Sequence, residues 1–124
     1  MADQILERFI AFLEERAARV QALEAEGAKA LEGPGGQPEF EAVMRRKAEL
    51  LAALSQDGKP LLAGMSEGQA EPLARKLKVF SAGASNSLRL NSVFYMSALL
   101  YPDEHKPGEP NNLELFISEL RRAG

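Results

Sequence analysis

Apolar residues recur at steps of three and four along most of the chain, the spacing that lines one face of a helix. Near the amino terminus Leu6, Phe9, Ile10, Leu13, Ala17, Val20, Leu23 and Leu31 keep largely to this rule. They predict a helix from about Asp3 to Glu32, capped by Asp3 and ~45 Å long at the standard rise. Gly33-Pro34-Gly35-Gly36 interrupts the pattern, because Gly is conformationally permissive and Pro cannot continue a helix. Phe40, Val43, Met44, Lys47, Leu50, Leu51 and Leu54 then predict a second helix from about Pro38 to Gln56, which Asp57-Gly58-Lys59-Pro60 closes. Two long amphipathic helices joined by a short turn pack antiparallel. The stretch Leu61–Glu71 follows no single pattern, although Ser66 and Gln69 have the spacing of a capping box.

From Pro72 a third helix is marked by Leu73, Leu77, Phe80, Ala84, Leu88, Asn91, Phe94 and Ala98, nearly a heptad pattern that stops near Leu100. Ala82, Gly83, Ala84, Ser85, Ser87 and Ser92 cluster in its middle, where small side chains let another helix approach closely. Gly83 costs about 1 kcal/mol there relative to Ala, so it marks a packing need or a kink. Residues 101–110 contain Pro102, Pro107, Gly108 and Pro110 and read as an exposed loop. A short amphipathic helix follows, with an Asn cap, an apolar stripe of Leu113, Phe116, Ile117 and Leu120, and Arg121 and Arg122 in its last turn. The expected fold is all-α: an antiparallel, coiled-coil-like bundle of three long helices over residues 1–100, then a flexible Pro-rich loop and C-terminal amphipathic helix over residues 101–124.

Composition narrows the chemistry. The 124 residues include no cysteine and one histidine, so disulfides, thiol nucleophiles and multi-histidine metal sites have no donors. With 15 Lys and Arg against 18 Asp and Glu, the net charge of -3 argues against nucleic acid as a partner. No unbroken apolar block of a signal peptide or membrane span opens the sequence, and the expectation is a soluble, cytoplasmic protein with no membrane insertion. Charge is uneven: Met1–Glu32 holds seven acids and four bases, whereas Pro72–Leu100 holds Arg75, Lys76, Lys78 and Arg89 and no acid. Either these bases meet acidic faces of neighbouring helices, or they form a surface for an anionic ligand or acidic partner.

Catalytic candidates are few, and neither a catalytic residue, a metal site nor a cofactor is expected. His105 lies in the Pro-rich loop, where nothing holds a general base in position. The serines of the third helix have no neighbouring base, and Gly33–Gly36 lacks the strand and the Lys-Ser/Thr ending of a phosphate loop. Glu14, Glu15, Glu24 and Glu26 read as solvated helix faces. Leu13-Glu14-Glu15-Arg16 with Lys29, Arg45, Arg46 and Lys47 resembles the helical chorismate mutases, a likeness that implies fixed cations holding a dicarboxylate.

The wider pattern resembles another family. Lys47-Ala48-Glu49-Leu50-Leu51 on the second helix, Asn86 or Asn91 on the third, and Tyr101-Pro102-Asp103 with Gly108 before the tail are similar to the FlgN-type flagellar export chaperones. The Gly33–Gly36 insertion and the Pro-rich loop depart from that pattern. The resemblance implies a non-enzymatic cytoplasmic chaperone that binds helical ends of hook-associated proteins, prevents their premature assembly and delivers them to the flagellar type III export apparatus. Leu113, Phe116, Ile117 and Leu120 are the expected client contacts, by helix-in-groove packing, and Tyr101 an export-gate contact. The same stripe also suits a fourth helix folded back on its own bundle, or a homodimer. A structural coiled-coil scaffold is a further alternative.

Overall fold

Residues 2–123 are described by a computed structural model, with the side chains of Ala2 and Asp3 outside the description. Every regular element among the described residues is a helix: α1 (Ala2–Glu32), α2 (Gly36–Ala52), α3 (Leu54–Leu62), α4 (Glu67–Arg89), α5 (Val93–Ala98) and α6 (Asn112–Ala123). The protein is all-α. The first helix agrees with expectation, although it starts ahead of Asp3, whose capping role falls outside the described side chains. The second and third expected helices are each divided, so six helices stand where three long ones and a tail were expected.

Each division has a local cause. Ser81 of α4 inserts its hydroxyl between α2 and α3: Oγ donates to the Leu51 carbonyl at 3.0 Å and accepts from the Ser55 amide at 2.9 Å. Those two groups would otherwise bond each other across one turn, and a side chain inserted in the ladder bends a helix there. The chain nevertheless stays helical through Asp57-Gly58-Lys59-Pro60, which was expected to end it. Leu54, Gly58 and Leu62 form its buried stripe, and a Cβ on Gly58 would stand 2.7 Å from Leu77 Cδ1. Gly58 therefore serves close packing of α3 on α4, not a turn.

The third expected helix runs from Glu67 to Arg89 instead of Pro72 to Leu100. Ser66 starts it, accepting the Gln69 amide on its hydroxyl. Asn91 ends it in the left-handed conformation, φ 51°, with the Asn91 amide bonded to the Leu88 carbonyl and the Ser92 amide to the Ser87 carbonyl, both at 3.0 Å. This is a Schellman end with Asn in place of Gly. Ser92 then caps α5 by accepting the Tyr95 amide.

Pairings across the helices set their directions. Glu26 meets Arg46, Glu24 meets Lys47 and Arg16 meets Asp57, so residue numbers fall along α1 as they rise through α2 and α3. In the same sense Arg45 meets Asn91, Leu51 meets Ser81 and Gly58 faces Leu77 across to α4. α6 returns along α1, with Gln21 bonded to Glu114 and Glu14 to Arg121. Phe9, Leu13, Val20, Leu51, Leu54 and Leu77 form one buried cluster with Leu113, Phe116 and Ile117 of α6. The sequence division at residue 100 thus separates two kinds of sequence that share one core. α6 is opened by a reciprocal box in which Asn111 Oδ1 accepts the Glu114 amide at 2.9 Å and Glu114 Oε1 accepts the Asn111 amide at 2.8 Å.

Candidate functional site

α4 carries two stripes at the same three-and-four spacing. Leu73, Leu77, Ser81, Ala84 and Ser87 are buried against the bundle. Lys76, Val79, Gly83, Asn86 and Leu90, a quarter-turn or more away, stay open, with Val79 62% and Leu90 48% exposed. The open stripe is one bank of a groove. Leu115, Phe116 and Glu119 of α6 line its other bank at one end, and Tyr95, Ala98 and Leu99 line it at the other.

The groove exists because α6 is held by α1 and touches α4 sparingly. The Phe80 and Phe116 rings stand 6.0 Å apart, and Lys76 Nζ lies 5.6 and 5.8 Å from them. Gly83 keeps the α4 bank low: a Cβ there would meet nothing nearer than Leu99 Cδ2 at 3.9 Å. Between the two ends the chain turns sharply at Leu100, with φ 77°. A left-handed residue with a branched side chain costs about 1–2 kcal/mol, and here burial of Leu100 and a 2.9 Å bond from the Asn112 amide to its carbonyl oppose that cost. Strained backbone of this kind concentrates at functional surfaces.

Lys76 lines the groove, and further basic side chains lie beyond the open stripe on the exposed flank of α4. One step further round α4 lie Arg75, Lys78 and Arg89, exposed like Lys76. Arg75 is paired with Glu71 at 2.7 Å on its own helix, and Arg89 donates to Asn86. Among the described residues no carboxylate is within ion-pair distance of Lys76, Lys78 or Arg89. Glu119 of α6 lines the same groove as Lys76, beyond ion-pair distance.

Behind the groove Tyr101 ties the 101–110 loop to the bundle. Its hydroxyl donates to Glu24 Oε1 at 2.6 Å, and its ring faces Lys47 Nζ at 5.1 Å and the His105 ring at 4.8 Å. Burial, and next the bond to the Glu24 carboxylate, push the phenol up to about 12. Lys47 is fully buried, donating to the Ser97 carbonyl at 2.9 Å, with Nζ 2.9 Å from Glu24 Oε2. The Lys47 ammonium is the charge that faces this buried Oε2. Desolvation holds the Lys47 ammonium below its usual range, and Glu24 opposes the shift. Glu24 is thus a partner of a buried cation rather than a solvated surface acid.

Of the four expected client contacts, Phe116 lines the α6 bank of the groove and the other three do not. Leu113, Phe116 and Ile117 are buried in the shared core and Leu120 packs against it, leaving Leu115 as the exposed apolar residue of α6. Tyr95 lines the groove at its α5 end, and the exposed Phe94 ring stands 5.7 Å from the Tyr95 ring. Phe94 fell on the predicted apolar stripe of the third helix; the left-handed Asn91 turns it outward. Of the cations that resemble a mutase site, Arg16 and Arg46 share a cleft with Arg19. Each is already engaged: Arg16 with Glu15 and Asp57, Arg19 with Glu15, Arg46 with Glu26. Arg45 bonds Asn91 and Lys47 is buried. His105 packs on Tyr101, its Nε2 2.8 Å from the Glu109 carbonyl oxygen. No helix of the described residues is long and apolar enough to cross a membrane, and no group of three or more acidic or histidine side chains among them is arranged to hold a metal. In comparison with known proteins, no family model, curated protein or solved structure gives a significant match to the chain.

Proposed function

We propose that the protein is a non-enzymatic, cytoplasmic chaperone of helical segments, of the flagellar export type, which holds the helical ends of hook-associated proteins unassembled and passes them to the export apparatus. The observation that carries this reading is the open stripe Val79, Gly83, Asn86 and Leu90, facing Leu115 and Tyr95 across a groove. A helix laid there buries apolar surface on both banks, with Gly83 admitting its closest approach, the mode of recognition in which an amphipathic helix fills a groove. The resemblance in Lys47–Leu51 and Tyr101–Asp103 supplies the client class. The client contact moves from Leu113, Ile117 and Leu120, which already stabilise the chaperone, to the groove, whose α6 bank Phe116 lines. Tyr101, anchored to Glu24, is the contact for the export gate.

Calorimetric titration with the carboxy-terminal helical segment of a hook-associated protein tests the reading. Saturable binding that is lost in a Val79→Asp/Leu90→Asp variant of unchanged helicity is expected. Absence of binding by the unaltered protein to any hook-associated client contradicts it.

A further inference from the structure

We propose that the groove selects an acidic amphipathic helix, with its carboxylates along the edge facing Arg75, Lys78 and Arg89; this rests on the helix-binding reading above. The stripe from Lys76 to Leu90 is ~21 Å long at the standard helical rise, room for two heptads. Its apolar members, Val79 and Leu90, are separated by Gly83 and Asn86, so the occupant presents apolar residues at its ends and its bulkiest side chain over Gly83, where 3.9 Å separates a Cβ position from Leu99. The basic rim lies on the solvent side of the stripe, and Lys76 and Lys78 lack carboxylate partners among the described residues. Glu119 alone contributes an acid to the groove's banks, on the α6 side. A helix with acids on one edge and neutral or basic groups on the other matches both banks.

The shape and charge disfavour the other occupants. A second copy of the chain packing the same stripe antiparallel, about a two-fold axis perpendicular to α4, would set one basic rim against the other. A membrane surface would meet a concave face, not the convex apolar face that inserts between headgroups.

The test uses three synthetic peptides of the same apolar heptad pattern, whose edge positions carry Glu, Gln or Lys. The Glu peptide is expected to bind at least about tenfold more tightly than the Lys peptide, a preference that shrinks as added salt screens exposed charge. An Arg75→Glu/Lys78→Glu/Arg89→Glu variant, altered only at exposed positions, is expected to reverse it. Gly83→Leu is expected to abolish binding of all three peptides while far-ultraviolet circular dichroism stays unchanged. Equal affinities, or a charge preference that survives Gly83→Leu, overturn the proposal. So does a dimer in light scattering that Val79→Asp dissociates, or sedimentation with phosphatidylglycerol vesicles in place of peptide binding. If the Glu peptide binds as described and hook-associated segments do not, the groove's selectivity stands and the flagellar reading fails.

Discussion

The inward and outward stripes of α4 share a helix, a spacing and a content of small residues, yet one is closed and the other open. Inward, Leu73 and Leu77 supply large apolar side chains, and Ser81 satisfies two backbone groups of the facing helix. Outward, Lys76 and Asn86 interrupt the apolar positions, and Gly83 leaves space where Leu77 fills it. Full burial of one Leu is worth about 1.5–3 kcal/mol, so the inward stripe holds the bundle together. The outward stripe has too little apolar area to recruit α6 fully and enough to reward a partner. What separates a core stripe from a binding stripe is what its small residues face, not their periodicity.

That contrast can be broken from its strong side first. Leu77→Ala is expected to cost about 2–5 kcal/mol in denaturant unfolding, because Leu77 is fully buried against Gly58 and its removal leaves a cavity. Ser81→Ala should cost about 1–3 kcal/mol, since the Leu51 carbonyl and Ser55 amide lose their partner inside the bundle. A smaller loss would mean that α2 and α3 had rejoined into one helix, and amide exchange at Ser55 would reveal the new bond.

Tyr101 sharpens the contrast at the groove's back. Its phenol is raised from 10.0 to about 12 in the folded protein. The stabilisation linked to it is therefore fully present below its ordinary pKa and is lost as pH climbs through about 12. In a Tyr95→Phe background the remaining phenolate absorbance should rise only towards that pH, and a rise near 10 would mean that Tyr101 is neither buried nor bonded to Glu24. On the open stripe the effects on folding are small. Gly83→Ala should stabilise by about 0.5–1 kcal/mol, since it improves helix propensity and meets only Leu99 at 3.9 Å. Val79→Ala should change stability by less than about 0.5 kcal/mol while weakening helix binding in calorimetry.

Much of this was legible in the pattern of the chain. The long first helix, the Ser66 and Asn cap signals and the amphipathic tail follow from local rules, and the structure realises each one. Lys47 fell on the apolar spacing of the second helix, but its partner was not legible, because Glu24 comes from another helix and looks like any surface acid. The breaks were hidden for the same reason. Ser81 bends a helix that it does not belong to, and Gly58 reads as a stop until Leu77 is seen against it. Asn91 sits at a helical spacing that its left-handed backbone contradicts. The groove was half visible, as a run of small residues in the third helix. Which of them face the bundle depends on α6, whose apolar stripe looked equally suited to a client.

In the proposed complex the open stripe, not the apolar face of α6, receives the helix. Backbone-amide NMR of the full chain, titrated to saturation with a hook-associated helical segment, tests it directly. The largest shifts are expected at Val79, Gly83, Asn86, Leu90, Tyr95 and Leu115, with Leu113 and Ile117 keeping their folded resonances. Collapse of the α6 resonances to random-coil positions, or shifts confined to α1 and α2, would contradict it.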